Sequence, residues 1–397
     1  MNMATDKQDK VLNVPNKREQ SRTCLNSAER AGLRPKGNVP TLRFPEFSKE
    51  WCIRELQLLV PQISSGKDKP EEGTYTLYGS TGPMGKTSKA SYNEEIVLVA
   101  RVGANAGHLQ IVNEPCGVTD NTLVLNGKDW NHYIYYYLQH YNLNKLVFGS
   151  GQPLITGGML KKIRIFCGGQ NERNKIVELL QRVDDRISTQ IRIIEDLKSL
   201  SDVICERLYN PSEKGVWQTY KYADLFSVSN ERNSKLQYKN VLSASQEYGM
   251  IERNELNIDI KFEESSITNY KIVRPNQYVI HLRSFQGGFA YSEKIGVCSP
   301  AYTILVPNEK LATAFLKYYF TSKKFIDSLR IVTYGIRDGR SISVEEFLQL
   351  KVIIPDFSQQ NHIVRVMQLW EEKIRTEEAY LSELQRQKMY LLSTMFV

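Results

Sequence analysis

Two stretches of the chain repeat apolar residues at gaps of three and four. The later one falls at Ile363, Met367, Trp370, Ile374, Leu381, Leu384, Leu391 and Met395, with Glu377 and Lys388 filling two seam positions. The earlier one runs through Ile176, Leu180, Val183, Ile187, Ile191, Ile194 and Leu197 and drifts on toward Leu208. Both are a/d heptads, the period of a helix that lays a narrow seam against a partner helix. Neither has Pro or Gly in its body, and both outer faces mix charges of either sign. At 1.5 Å per residue, a stretch of about 39 residues reaches roughly 58 Å. The seams therefore predict two long helices. The simplest partner for each is the other, met antiparallel, since a long segment joins them.

Elsewhere the pattern shortens to strand-like runs. Thr74–Tyr78, Ile96–Arg101, Leu109–Val112 and Leu123–Leu125 are β-branched or aromatic and bounded by Gly, Asn and Pro. One helix is expected over His132–Leu143, where Tyr133, Tyr136, Tyr137 and Leu138 crowd together. Ile163–Phe166 is a last strand before the first long helix, with Asn171 placed as N-cap and Glu172 as first-turn acid. The same order then recurs. Trp51 with Leu56, Leu58 and Leu59 matches Trp217 with Tyr222, Leu225 and Phe226, and the aromatic helix matches Phe315–Phe325. Phe148-Gly149 matches Tyr334-Gly335 and Gly339, Ile163–Phe166 matches Val352–Pro355, and Ile176-Val177 matches Ile363-Val364. The reading is α+β: a mixed domain followed by a long helix, twice. Its boundaries are a disordered basic leader at 1–40, a first domain at 41–169, a central helix at 170–210, a second domain at 211–357 and a C-terminal helix at 358–397.

Charge and cysteine refine this picture. The 397 residues hold 52 Lys and Arg against 44 Asp and Glu, a net +8. The long helices are close to neutral, so the excess lies on the leader and the globular parts, which permits nucleic-acid binding without demanding it. Six cysteines (Cys24, Cys52, Cys116, Cys167, Cys205 and Cys298) form no C-x-x-C pair and have no nearby His. That argues against a disulfide framework or a zinc site and for reduced thiols. No apolar run nears the ~20 residues of a membrane span, and the N-terminus lacks an apolar signal core. A soluble, cytoplasmic protein is expected.

Catalytic motifs fail on inspection. Gly79-Ser80-Thr81-Gly82-Pro83-Met84-Gly85-Lys86-Thr87 resembles a phosphate loop, but Ser80 stands where the first Gly belongs and Ser88–Glu95 makes a poor helix. A surface turn carrying Ser80, Thr81 and Lys86 fits better, and such a turn can meet a DNA backbone. Val102–Gly107 lacks dinucleotide-loop spacing. No Asn/Asp-Pro-Pro-aromatic motif of amino-methyltransferases occurs, and Asn210-Pro211-Ser212 is only a fragment of it. The five histidines are scattered. The expectation is a chain with no catalytic residues and no metal site. Polar loops are instead plentiful: Lys67, Ser80, Thr81, Lys86, Arg101, Asn105, Asn121, Ser150 and Gln152 in the first half. In the second half they carry Asn230, Ser243, Ser245, Arg283, Ser284, Gln286, Tyr334, Arg337 and Arg340. Arg can bond guanine bidentately, Asn and Gln adenine, while Ser, Lys and backbone N–H groups hold phosphates. Any one of these residues alone reads more readily as an ordinary loop residue. Their recurrence at matching places in both halves raises the collective case for DNA contact.

With these residues in view, the chain from Thr41 to Phe396 resembles the specificity subunit of type I restriction–modification systems. The resemblance rests on Leu42-Arg43-Phe44-Pro45-Glu46-Phe47 with Trp51, Tyr78–Gly82, Ala100–Gly107, Thr119-Asp120-Asn121-Thr122 and Phe148–Ile155, followed by the long helix. It implies two target-recognition domains, each reading half of a split double-stranded DNA site. It also implies antiparallel helices that space the halves and dock two methyltransferase subunits and the restriction/translocase subunits. S-adenosylmethionine, ATP and Mg would then act on those partners, with none bound by this chain. The leader departs from the family pattern, and Phe166-Cys167-Gly168-Gly169 replaces the expected proline-rich lead-in, of which Pro355 keeps a trace. Two other classes of reading remain on sequence grounds: a non-enzymatic coiled-coil adaptor with two protein- or glycan-binding domains, and a fragment of a fused enzyme. Binding that weakens steeply with salt yet discriminates sequence separates DNA recognition from the adaptor.

Overall fold

A computed structural model describes residues 38–146, 153–211, 216–245, 248–253, 264–281, 288–329, 333–334 and 341–397, with backbone only at 264–266, 333–334 and 341. The chain packs as two compact units. One holds the residues up to Thr189 together with Leu381–Val397, and the other holds Gln190–Tyr380.

In the first unit the elements are β1 (Cys52–Glu55), α1 (Leu56–Leu59), β2 (Ile63–Ser65), β3 (Tyr75–Gly79), β4 (Gly82–Thr87), β5 (Ile96–Ala100), β6 (Leu109–Val112), β7 (Cys116–Val118) and β8 (Thr122–Leu125). They continue with α2 (Asn131–Tyr141), α3 (Gly157–Lys161), β9 (Arg164–Cys167) and the long helix α4 (Gln170–Leu208). An antiparallel sheet runs in the order β2-β8-β5-β6, and a second in the order β4-β3-β7, in which β3 and β7 are parallel. β5 is buried throughout, which is why Ile96-Val97-Leu98-Val99-Ala100 reads as an unbroken apolar run. Val97 and Val99 enter a core with Tyr133, Ile134, Tyr137 and Leu138 of α2. The alternate residues Ile96 and Leu98 meet Val112, Cys116, Val118 and Val124. That division is the period-two consequence of a sheet covered on both faces.

The second unit repeats the plan with β10 (Trp217–Lys221), β11 (Phe226–Ser229), β12 (Leu242–Ser245), β13 (Gly249–Glu252), β14 (Lys271–Val273), β15 (Gln277–Ile280), β16 (Phe289–Ser292), β17 (Gly296–Cys298) and β18 (Thr303–Pro307). It continues through α5 (Phe315–Tyr319), α6 (Lys323–Ser328), β19 (Thr333–Tyr334), β20 (Ser341–Ile342), α7 (Val344–Gln349), β21 (Lys351–Pro355) and the long helix α8 (Phe357–Met395). Its main sheet runs β11-β18-β15-β16, the counterpart of β2-β8-β5-β6. The correspondence reaches single hydrogen bonds. Leu56 N donates to Ile163 O as Tyr222 N donates to Leu350 O, at 2.8 and 3.0 Å. Thr156 caps α3 by accepting from Met159 N, as Ser343 caps α7 by accepting from Glu346 N. Leu160 and Phe347 then fill the same place beneath the sheet, each wholly buried. The aromatic helix expected over Phe315–Phe325 is broken into α5 and α6, because Ser322 caps a new helix by accepting from Phe325 N.

Both long helices have 39 residues, and aligning their starts sets Gln190 on Glu377. Each unit contains one antiparallel stretch of the pair. In the first, Ile176, Leu180 and Val183 are buried with Leu391, Leu392, Met395 and Phe396. In the second, Cys205 and Tyr209 are buried with Ile363, Val364 and Met367. Ile194 and Leu384 are buried, whereas Ile187, Trp370, Ile374 and Leu381 are half-buried. Ile191 corrects the sequence reading: it is 40% exposed, and Gln190 takes its seam place at 5%. Gln190 Nε2 donates to Glu377 Oε2 (2.5 Å) and Glu377 O (3.2 Å), so a polar pair occupies a position that apolar pattern-matching assigned to isoleucine. The polar seam residue Lys388 is likewise partnered, with Asp184 at 2.6 Å.

The first junction brings one further correction and bears out Glu172 as a first-turn acid. α4 starts at Gln170, and Arg173 N donates to Gly169 O, so Asn171 lies inside the first turn rather than capping it. Glu172 is buried and holds Arg43 through two bonds, Nε–Oε1 at 2.6 Å and Nη2–Oε2 at 3.0 Å. The Leu42–Phe47 stretch is thus a strap, with Leu42 N donating to Thr394 O and Lys175 paired with Glu46.

Candidate nucleic-acid interface

Three chain segments of the first unit converge on the turn Thr119–Thr122, which joins β7 to β8. Thr122 N closes the turn on Thr119 O at 3.2 Å. The carbonyl of Asn121 is the common acceptor: Ser80 Oγ reaches it at 3.3 Å from the β3–β4 hairpin and Arg101 N at 3.0 Å from the end of β5. Arg101 Nη1 lies 3.5 Å from Asp120 O, which holds the guanidinium against the same turn. Gly66 N donates to Thr122 O, and Asp68 accepts from Val118 N (2.8 Å) and from Ser91 Oγ (2.6 Å), so Lys67 is set beside the turn. Gln110, which sequence reading passed over, anchors the hairpin by donating to Gly79 O at 3.0 Å.

The loop after β5 is tight. Gly107 N returns to Ala100 O, His108 N to Asn105 O, and Gly103 N reaches Pro153 O. Gly103 and Gly107 have φ of 78° and 91°, a region where a Cβ is strained, and a Cβ on Gly107 would also press Leu143 at 3.1 Å. Lys67, Thr81, Asn105 and Asn121 are exposed, while Ser80 and Arg101 are half-buried. Beneath them Arg101 Nε, Thr119 Oγ1 and Thr122 Oγ1 are buried with no hydrogen-bond partner among the described residues. Each such atom costs about 1–3 kcal/mol unless something outside the chain satisfies it. The three lie close together, two in the turn and one at the end of β5 packed against it. The sequence marks Thr119-Asp120-Asn121-Thr122 as a motif, but nothing in it singles out the hydroxyls of Thr119 and Thr122. Lys86 is a correction: it sits on β4 opposite Thr76, away from the Gly79–Gly82 end of the hairpin, rather than in a turn with Ser80 and Thr81.

The second unit keeps this frame with other side chains. Tyr302 N closes on Ser299 O at 3.1 Å, and His281 N donates to Gly288 O as Ala100 N does to His108 O. Lys271 Nζ holds Tyr302 O at 2.8 Å, and burial lowers its ammonium pKa. The His281 and Tyr302 rings are 6.1 Å apart. Ser243 and Ser245 lie on β12, at the hairpin corresponding to β3–β4. Ser243 Oγ accepts from Arg253 Nε at 3.4 Å and Ser245 Oγ from Tyr248 N at 3.3 Å. Asn230 is exposed just past β11, beside the Glu231–Arg274 ion pair. Ser150, Gln152, Arg283, Ser284, Gln286, Arg337, Arg340 and the Tyr334 side chain lie outside the described residues, as does most of the leader. Among the described residues no group of His, Cys, Asp and Glu could hold a metal, and no helix is long and apolar enough to cross a membrane.

Comparison with known proteins gives this geometry a context. Residues 49–199 and 214–386 match the model of the type I restriction modification DNA specificity domain. A specificity subunit of the type I restriction enzyme EcoprrI from Escherichia coli is 25% identical over 136 residues. That match spans 33% of this chain and 33% of the relative, about a third of each. The S subunit of a type I restriction–modification system from M. genitalium superposes with a TM-score of 0.55 at 18% identity, over 90% of this chain and 99% of that one. A second structure, reported for complex assembly and conformational transition of the type I R-M system, gives 0.55 at 13% identity, over 89% and 98%.

Proposed function

The chain belongs to the family of type I restriction–modification DNA specificity domains, and on that premise we propose that it is the DNA-reading subunit of a type I restriction–modification complex. Each unit reads one half of a split double-stranded site. The observation that carries this is the repeated turn: Thr119–Thr122 and Ser299–Tyr302 occupy the same place on matching sheets and present different side chains. In the first unit Asn121 is suited to an adenine edge and Arg101 to guanine, while Lys67, Ser80 and Thr81 are suited to phosphates. In the second, the corresponding positions around His281, Ser299 and Tyr302 read the other half.

On this reading the chain itself is not catalytic. The long helices dock two methyltransferase subunits, and restriction/translocase subunits join that assembly in the cytoplasm. S-adenosylmethionine, ATP and Mg serve those partners. The test is co-expression with the methyltransferase of the same operon, followed by single-molecule sequencing of host DNA. One split motif with methyl-adenine in both halves supports the proposal, and exchanging residues 211–357 should change one half alone. A purified stable complex that leaves DNA unmethylated, and binds it without sequence preference, would sink it.

A further inference from the structure

Cys52 and Cys167 take no part in the candidate DNA face, yet the fold sets them side by side. They are direct partners in the antiparallel pairing of β1 with β9. Residues so opposed have Cα atoms about 4.5–5.5 Å apart, inside the roughly 4.4–6.8 Å range that a disulfide spans without backbone movement. Their sulfurs are 3.5 Å apart, and each thiol also lies near the other strand's carbonyl, Cys52 Sγ at 3.5 Å from Cys167 O and Cys167 Sγ at 3.7 Å from Cys52 O. Cys52 is exposed, while Cys167 is 1% exposed. The corresponding pair in the second unit, on β10 and β21, is Gln218 opposite Ile354. Strand pairing at this place therefore does not need two sulfurs.

We propose that Cys52 and Cys167 form a reversible dithiol–disulfide site, oxidised by hydrogen peroxide and reduced by small thiols. The Cys52 thiolate attacks a peroxide oxygen, the O–O bond breaks, and a sulfenic acid and hydroxide result. The buried Cys167 sulfur then attacks the Cys52 sulfur, its own proton leaves with the departing hydroxyl as water, and the S–S bond forms. Two thiols lose two electrons and two protons, and the peroxide leaves as two waters. Roles divide by environment. The hydrogen bond from Cys167 holds the Cys52 thiol well below its ordinary value, with Arg54 helping against the opposing effect of burial. The same bond, with burial, pushes Cys167 up. An exposed thiolate meets the oxidant and a buried partner resolves it. Cys116, Cys205 and Cys298 are buried, and burial pushes each of their thiols up.

β9 leads through Gly168-Gly169 into α4, so the bond would close a long covalent loop around the first unit at the root of that helix. Closing a loop of about 100 residues should raise the thermal midpoint of this unit by roughly 5 °C or more.

The experiment treats the reduced full-length chain with hydrogen peroxide. Remaining thiols are tagged after unfolding, and the non-reducing peptide map is read with and without dithiothreitol. The expected result is joint loss of two tags, a peptide linking Cys52 to Cys167, a midpoint raised by ~5 °C or more, and full reversal by dithiothreitol. Cys52→Ser, at the exposed position, should abolish both the linkage and the shift. Cys167→Ser, which keeps a donor beside Cys52, should leave Cys52 as a trappable sulfenic acid, whereas Cys167→Ala removes that donor and should oxidise more slowly while still giving no linkage. Both thiols remaining taggable, Cys52 overoxidising alone in the parent chain, or a linkage to another cysteine would each overturn the proposal.

Discussion

The turns Thr119–Thr122 and Ser299–Tyr302 share a backbone and little else. Each closes with one N–H to carbonyl bond, 3.2 Å in the first and 3.1 Å in the second, and each precedes the corresponding strand, β8 or β18. The first carries Asn121 over three buried, unpaired polar atoms. The second carries Ala301 where the first has Asn121, and its Tyr302 carbonyl accepts from the Lys271 side chain where Thr122 O accepts from Gly66 N. The buried sheet holds the frame, so side chains at the rim can change without disturbing what supports them. The two units can then diverge at the rim while remaining one fold. Under the proposed function, that is how one chain can read a split, asymmetric target.

The largest effects should come from the shared support rather than from the rim. Leu160→Ala and Phe347→Ala remove counterparts from the two cores. The leucine change should cost about 2–5 kcal/mol and the phenylalanine change about 3–5 kcal/mol. Phe347 should stand at the upper end, because it stacks on Tyr222 at 4.4 Å and also meets Phe289 at 5.0 Å. Urea unfolding checks both. Near-neutral values at either site would mean that the two cores do not serve as equivalent supports.

At the rim, Asn121→Ala and Arg101→Ala should each weaken binding to the cognate site by about 1–3 kcal/mol, roughly 5- to 150-fold. Unfolding midpoints and affinity for unrelated DNA should scarcely move. Titration of both DNAs at matched salt distinguishes base reading from phosphate holding. Equal losses on the two would reassign these residues to the backbone. Ala301→Asn sharpens the contrast: it adds an amide to the second turn and should alter preference in the second half-site alone.

Much of this was legible in the residues. Long periodic seams signal helices strongly, and the recurrence of Trp51 as Trp217 and of Ile176 as Ile363 exposed the repeat before any coordinates. The main strands were visible because burial on both faces leaves continuous apolar runs such as Ile96–Ala100. Other features depend on tertiary partners and escaped. The apolar period selects Ile191 for the seam, because the pairing of Gln190 with Glu377 is visible only when the two helices lie together. Asn171 has a capping side chain, but α4 already begins at Gln170, two residues before the Glu172 start that such a cap implies. Lys86 followed glycines that suggested a longer turn, whereas β4 begins at Gly82. Thr119 and Thr122 matter through what their hydroxyls lack, and no local pattern encodes that.

The helix seam offers a smaller contrast between single and paired changes. Gln190→Ala removes a hydrogen bond to a carboxylate and should cost about 1–3 kcal/mol. Replacing both partners, Gln190→Leu with Glu377→Leu, should recover most of that loss, because no buried polar group is then left unpaired and Lys373, which also pairs with Glu377, is exposed to water. A double-mutant cycle in urea measures the coupling. A strictly additive result would show that the two side chains do not depend on one another.

The smallest effect is electrostatic and belongs to the second unit. Burial alone would raise the Glu371 carboxyl, but the Tyr318 hydroxyl at 2.7 Å and the Lys317 ammonium at 2.9 Å outweigh it, with Arg375 beyond them at 3.6 Å. Its folded value therefore lies below the ordinary 4.5. A lowered carboxyl stabilises the fold above its unfolded value, and that contribution fades as pH falls through the folded one. Loss should begin near pH 4.5 and continue below it. The side chain is 36% exposed, so water screens the pair and the contribution should stay below ~1 kcal/mol. Glu371→Gln should flatten the dependence of the urea midpoint on pH between about 5 and 3, while leaving the midpoint near neutrality only slightly lower. An unchanged slope would mean that the Tyr318 and Lys317 contacts do not hold Glu371 ionised in solution, and the acid sensitivity of this unit would then have to arise at Glu231 or Glu377, whose carboxyls are also lowered by their partners.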